Sequence, residues 1–180
     1  MLALCIVSAL LFLRLAGNEK IIVVPPTIDK TFWVGKDRVS ASYLEQMGAY
    51  TASLILDVTA NNIDWKRDVL LQYVTPETTS ALRTRQDIEA DRLKKINAAT
   101  FFAVQQFFTS EDTLSVVIKG RLVTIINGSR VETDGEGRAY LVAFQYSGNR
   151  IQLHTFKEIP YENPGTNHAA LLADRGSLRD

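Results

Sequence analysis

The sequence predicts an α+β domain that follows a short apolar N-terminal segment. Met1 to Leu13 is almost entirely apolar, apolar residues recur at three- and four-residue steps from Ser40, and the period changes to two after Ala98. Helices followed by a run of antiparallel strands are typical of α+β proteins. We therefore expect helices packed on the concave face of a curved four-stranded antiparallel sheet.

The charge balance argues against a nucleic-acid partner. Among the 180 residues, 20 are Lys or Arg and 20 are Asp or Glu, and the basic residues form no long run. A chain without net charge has no general attraction for a phosphate backbone. With 46% hydrophobic residues, the chain has enough apolar surface to form one folded domain.

The N-terminal segment is predicted to anchor the chain in a membrane. A helix over Met1 to Leu13 spans about 20 Å of a hydrocarbon core that is about 30 Å thick. Residues 15–17 can extend it while Arg14 reaches the interface, or further residues can precede Met1. A cleaved signal peptide is an alternative, but no basic residue precedes the apolar stretch. A buried helix is another. We expect an uncleaved anchor over 1–17 that contacts membrane lipid.

Residues 18–39 are predicted to form an extended connector. Ile21 to Val24 is β-branched and Pro25-Pro26 excludes a helix. We expect Phe32 to Val34 to pack on the domain as an edge segment rather than to dock a partner. The domain itself is predicted over 40–160, and the Pro-, Gly- and polar-rich residues 161–180 are predicted to form a flexible tail.

Three helices are predicted at the start of the domain. The first runs from Ser40 to about Val58, on apolar positions three or four residues apart. The second begins after a cap at Asn61 or Asn62 and continues through Val74. The third begins at Thr75-Pro76 and ends near Asn97. On its exposed face we expect two ion pairs, Arg85 with Glu89 and Asp91 with Lys95.

Four strands are predicted after the helices. They cover 101–108, 114–126, 140–146 and 151–159, with apolar residues at even positions of the second strand. Gly120 interrupts that face and indicates a bend or bulge. Asn127-Gly128, residues 134–137 and residues 147–149 are turn signals.

Residues able to carry out chemistry are scarce. Cys5, His154 and His168 are the only cysteine and histidines, and no nucleotide, metalloprotease or serine-hydrolase motif is present. We therefore expect no catalytic, cofactor-binding or metal-binding residues, no cofactor and no small-molecule substrate. The alternative is a membrane-tethered small-molecule-binding or ketosteroid-isomerase-like pocket. It lacks a base on the apolar phase of the first three strands, and His154 is expected at the surface or rim.

Several blocks of the sequence resemble one known family. Tyr43-Leu44-Glu45-Gln46-Met47, residues 57–62, residues 70–76 and residues 116–122 are similar, in order and spacing, to the TraE family of conjugative pilus-assembly proteins. The resemblance covers residues 1–160. Asp57 and Ala60 stand where the family commonly has Asn and Pro.

The resemblance implies a fold and a role. Such proteins are single-pass inner-membrane components of type IV secretion systems with a periplasmic, cone-shaped domain like nuclear transport factor two. They bind one another and other components, and no catalytic residues are assigned to them. The family usually has a short cytoplasmic segment before its membrane helix.

The hypothesis from the sequence is therefore a non-enzymatic scaffold for a conjugative pilus or channel, needed for DNA transfer. It would bridge the inner membrane and the periplasm and bind other secretion components and copies of itself. Tyr43, Met47 and Tyr50 on the first helix are candidate self-association residues, unless they pack in the core.

Overall fold

The computed structural model describes residues 30–35, 38–131, 137–147 and 150–161. Within these ranges, three helices precede five strands. The helices are α1 (Ala41–Leu56), α2 (Ile63–Leu71) and α3 (Pro76–Lys95). The strands are β1 (Ala98–Ser110), β2 (Ser115–Ile126), β3 (Ser129–Val131), β4 (Arg138–Ser147) and β5 (Arg150–Ile159).

The predicted anchor over 1–17 lies outside the described residues, as do most of the connector and the tail beyond Tyr161. The turn signals at 134–136 and 148–149 lie outside them too. Among the helices in the described ranges, none is long and apolar enough to cross a membrane.

The strands form one curved antiparallel sheet in the order β1-β2-β4-β5, and β3 pairs with β2 beside this path. The prediction of four strands is therefore wrong by one short strand. The turn at Asn127-Gly128 is confirmed: both residues have positive φ, 50° and 80°. Two positive φ angles match the twist of a two-residue hairpin, so the chain reverses here and β3 follows directly.

Two bulges bend the sheet. In β1 the pairing passes from Val104–Gly120 to Gln106–Lys119, so Gln105 is an extra residue opposite the predicted irregularity at Gly120. In β5 the pairing passes from Leu153 to Thr155, so His154 is an extra residue. Each bulge increases the local twist, which helps the sheet to curve around the helices.

The main core lies between α1 and the concave face of the sheet. Its most buried members come from α1 and from alternate residues of the strands, as the two periods predicted. They include Leu44, Met47, Val116, Ile118, Val142 and Leu153, each 0 or 1% exposed. From the connector, Phe32 and Val34 pack on this core, and Phe32 meets the ring of Tyr43 edge-on with centroids 5.3 Å apart. Packing of the edge segment is thus confirmed.

The links between the helices lie along the two outer strands. The first helix begins beside Ser40 as predicted, and Ser40 caps it: its Oγ accepts the N–H of Tyr43. After α1, Thr59 bridges to Ala99 of β1. The second helix ends at Leu71 and not at Val74, because Val74 forms a parallel bridge with Leu153 of β5.

Candidate functional site

An open cleft of about 410 Å³ lies between α3 and the concave face of the sheet. It exists because α3 buries only Gln86, Ala90 and Leu93, a narrow face that does not fill the space above the strands. The sheet contributes the short side chains of Thr100 and Thr124 at the same place. Gln86 also lines the cleft, and the rest of the wall consists of Ile55, Leu56, Leu82, Arg85, Ile88, Glu89, Arg92, Leu122, Tyr140, Phe156 and Glu158.

Aromatic rings line the sheet side of the cleft. The Tyr140 ring stacks on Phe156 with centroids 5.4 Å apart and meets Phe102 edge-on at 5.2 Å. Burial, with a smaller contribution from the charge of Glu158, raises the pKa of the Tyr140 hydroxyl to about 12. The hydroxyl therefore stays protonated at neutral pH and can donate a hydrogen bond.

Both carboxylates in the cleft wall are in ion pairs. Glu89 binds Arg92, with Nε 2.8 Å from Oε2, and Glu158 binds Arg138 across the strands. Arg85, in contrast, makes one hydrogen bond in the described part of the chain, from Nη1 to the carbonyl oxygen of Phe156 over 3.4 Å, and no ion pair. The cleft thus presents one uncompensated positive charge and no uncompensated carboxylate.

Two titratable groups elsewhere do not join the cleft. Asp57 lies at the end of α1, where its Oδ1 accepts the N–H of Phe102 at 2.6 Å. Burial raises the pKa of the Asp57 carboxyl, against the effects of this bond and of Lys66. His154, at the β5 bulge, has a buried Nδ1 without a hydrogen-bond partner and does not line the cleft. His168 lies outside the described residues.

No geometry for a metal ion is found in the described ranges, where no three His, Cys, Asp or Glu side chains come together.

The candidate self-association residues lie mainly in the interior. Tyr43 and Met47 are each 1% exposed, and the Tyr50 ring packs edge-on against Tyr73 with centroids 5.5 Å apart. Buried side chains do not reach a second molecule. In this fold Tyr43 and Met47 are core residues, and self-association itself stays a prediction.

Sequence reasoning offered a pocket only as an alternative and did not name Arg85 or Tyr140 as residues that line it. One signal was present: Thr124 occupies an even position of β2 that is otherwise apolar, which marks a place where the sheet does not pack tightly. The many charges of α3 indicated a helix with a small buried face.

Comparisons with known proteins point to one family. A sequence model of the family described as "TraE protein" matches residues 1–158. A protein named "Protein TraE" from Escherichia coli (strain K12) is 30% identical over 121 residues, which are 67% of this chain and 64% of that protein. The chain thus matches slightly less than two thirds of the length of this curated relative.

Solved structures of similar shape are more distant. A TraE protein in complex with 2-chloroisonicotinic acid has a TM-score of 0.48 at 7% identity, over 65% of this chain and 93% of that one. CagV, a VirB8 homolog of the type IV secretion system of Helicobacter pylori strain 26695, has a TM-score of 0.42 at 10% identity, over 66% and 98%.

Proposed function

We propose that this chain, which belongs to the TraE family, is a structural and non-enzymatic assembly component of a bacterial type IV secretion system for conjugation. The observation that carries the proposal is the family match over residues 1–158, which includes both the apolar N-terminal stretch and the helices and strands of the domain. In this role the chain acts by binding other proteins.

The proposed arrangement is a single membrane pass with the domain in the periplasm. Met1 to Leu13 and the residues that follow supply the apolar stretch, and the Pro-containing connector separates it from the domain. The described domain contains no cysteine, so an oxidising compartment would not alter it. The partners are other secretion components and further copies of the chain.

The membrane topology is tested with a reporter fusion. Alkaline phosphatase is fused after Pro160, and activity is measured in membranes before and after carbonate extraction. The proposal requires activity that stays in the membrane pellet. An inactive fusion would place the domain in the cytoplasm, and activity in the soluble fraction would indicate a cleaved signal peptide; either result would overturn the arrangement.

The role in conjugation is tested genetically. Deletion of the gene should abolish conjugative transfer and pilus production, and the wild-type gene supplied in trans should restore both. Normal transfer from the deletion strain would remove the proposed function whatever the topology.

A second candidate is a membrane-tethered small-molecule-binding domain, which the 410 Å³ cleft favours. An isomerase would in addition need a free base facing the cleft, whereas Glu89 and Glu158 are both ion-paired. The Leu122→Trp substitution fills the cleft from β2, and Leu122→Met serves as its matched control. Normal transfer by a folded L122W variant would exclude a required ligand, whereas selective loss of transfer in L122W would favour this candidate.

A further inference from the structure

The face of the sheet that points away from the helices is basic, although the chain as a whole is neutral. Side chains of a strand alternate between the two faces, and the bulges at Gln105 and His154 shift this alternation in β1 and β5. Glu158 is the only acidic residue of the five strands, and it lines the cleft on the opposite face. The charged strand residues that fall on the outward face are Lys119, Arg121, Arg130, Arg150 and Lys157.

Exposed apolar side chains lie between two of these cations. Phe101 of β1 is 55% exposed and pairs with Val123 of β2. Ile125, two residues farther along β2, is 37% exposed. Arg121 precedes Val123 by two residues on the same strand, and Arg130 of β3 pairs with Ile125. We call these five residues the outer patch.

The two arginines of the outer patch are available to a partner. Arg121 and Arg130 are exposed, and within the described ranges they form neither an ion pair nor a side-chain hydrogen bond. Lys119 is different, because it is 5% exposed and its Nζ lies 5.3 Å and 4.9 Å from the ring centroids of Phe108 and Tyr161. The accessible positive charge therefore comes from the arginines beside the apolar side chains.

The outer patch lies where the sheet extends beyond its four-stranded part. β2 pairs with β4 over Ser115–Gly120, whereas its ladder with β1 continues to Ile126. The patch occupies the convex side of this extension. Peptides usually bind in a groove or along a sheet edge, so side chains that stand on a convex face suit a broad, flat partner better.

We propose that the outer patch rests on the surface of a membrane that contains anionic lipid. Phe101, Val123 and Ile125 enter the boundary between the headgroups and the acyl chains, and Arg121 and Arg130 bind lipid phosphates. Arginine suits this position because its apolar stem can lie at the boundary while the guanidinium stays among the headgroups. A second copy of the patch fits less well, since it brings further arginines and no carboxylate.

The proposed anchor brings the domain within reach of such a surface, and the inference rests on that part of the proposed function. Residues 18–29 can extend to about 40 Å, which is close to the length of the 12-residue β2. The connector therefore allows the sheet to lie along the membrane. The tether also raises the effective concentration of the lipid surface, so a small patch is sufficient.

The first test measures which side of the domain meets the lipid. The full-length Cys5→Ser chain carries one thiol, at Ala103→Cys on the outward face of β1 or at Ser80→Cys on α3 as the control. Each thiol is labelled with nitrobenzoxadiazole in vesicles of equal parts phosphatidylglycerol and phosphatidylethanolamine. We expect nitroxides on the lipid acyl chains to quench the label at position 103 roughly threefold more than the label at position 80. Equal quenching at the two positions, or none at position 103, would overturn the proposal.

The second test removes the charges. Arg121→Gln together with Arg130→Gln should lower the quenching at position 103 roughly threefold, and so should vesicles of phosphatidylcholine alone. Arg83→Gln together with Lys95→Gln is the matched control, because both residues are exposed on α3 and the net charge changes equally. Circular dichroism verifies that each variant is folded. Equal quenching of the two double variants would contradict the contact.

These outcomes are distinct from failure of the proposed function. A chain that does not sediment with the vesicles would overturn the proposed anchor and this inference together. A chain that sediments while its label at position 103 stays unquenched would remove only the contact of the outer patch. Loss of conjugative transfer in the double variant of Arg121 and Arg130, with quenching unchanged, would assign the patch to an acidic protein partner and overturn the lipid contact.

Discussion

Glu89 forms its ion pair with Arg92, which follows it by three residues on α3, and not with Arg85, which precedes it by four. Arg92 donates from Nε to Oε2 of Glu89 over 2.8 Å. A helix favours an acid that lies on the N-terminal side of its basic partner, and the Arg92 pair has this order. The predicted pairs Arg85–Glu89 and Asp91–Lys95 are both wrong, since the described residues form neither. The order of charges explains only the first of them, because Asp91 does precede Lys95.

Removal of Arg92 should change the partner of Arg85. In an Arg92→Gln variant, Glu89 is free to pair with Arg85 within the same chain. We expect the free energy of unfolding of Arg92→Gln to fall by less than about 1 kcal/mol, because an exposed Arg85–Glu89 pair replaces the lost one. Urea unfolding is the measurement: adding Arg85→Gln should lower the stability further, whereas adding Arg83→Gln, the matched control, should not. Equal stability of the two double variants would argue against the replacement pair.

Arg67 should stabilise the contact between α2 and α3. Its guanidinium reaches Asp64, Asp68 and Asp87, and its side chain is 18% exposed. We expect Arg67→Ala to lower the free energy of unfolding by about 1 kcal/mol, since such networks exceed single exposed pairs. Urea unfolding measures the change. High salt should reduce the difference from wild type, and Arg83→Ala should have little effect at either salt concentration.

Asp57 should make stability depend on pH in one direction. Burial raises the pKa of its carboxyl above 3.8, so the folded protein holds the proton more tightly than the unfolded chain. Its contribution to the unfolding free energy is therefore largest below pH 3.8 and is lost as the pH rises through the raised value. In urea unfolding, the unfolding free energy of wild type minus that of Asp57→Asn should therefore fall as the pH is raised from acid to neutral.

Asp64 gives the opposite trend and serves as the comparison. A hydrogen bond from Lys94, together with the charges of Lys94 and Arg67, lowers the pKa of its carboxyl below 3.8. Its contribution is present above pH 3.8 and is lost as the pH falls through the lowered value. If the stability difference from wild type changed with pH in the same direction for Asp57→Asn and Asp64→Asn, the environments assigned to the two carboxyls would be wrong.

Gly120 should not tolerate a side chain. A Cβ at this position would lie against the carbonyl oxygen of Ala103 and 2.8 Å from the Phe102 ring. We expect Gly120→Ala to lower the free energy of unfolding by about 3 kcal/mol, because the backbone of β1 would have to move. Thermal and urea unfolding provide the measurement. Arg121→Ala, at an exposed neighbour, should remain close to wild type, and equal stability of the two variants would contradict this.

The order and type of the main elements followed from local signals. The apolar period from Ser40, the proline at the start of α3 and the later change to a two-residue period depend on near neighbours in the chain, and each predicted its element correctly. The end of α2 did not follow, because a partner far along the chain, Leu153, draws Val74 into a bridge. The three-residue β3 is too short and too exposed to show alternation.

The size and lining of the cleft could not be predicted, since both depend on how far α3 stands from the sheet. Helical periodicity shows which residues of α3 face inward but not how closely they approach the strands. The distinction between Tyr43 and Tyr50 likewise depended on tertiary structure: Tyr43 is enclosed by the core, whereas Tyr50 is only partly buried against it.

The helix connections beside β1 and β5 also limit how the molecule can polymerise. Beside the Thr59–Ala99 bridge, the carbonyl oxygen of Val58 accepts the N–H of Thr100 in β1. In β5, the N–H and carbonyl of Leu153 bond to Tyr73 and Thr75. Farther along β1, the bulge at Gln105 interrupts the regular spacing that another chain would need to pair with it. Extension of the sheet from one molecule into the next, the route to amyloid-like fibres, is obstructed at these places. A protein held at high density in an assembly can then associate through side chains without its sheets fusing.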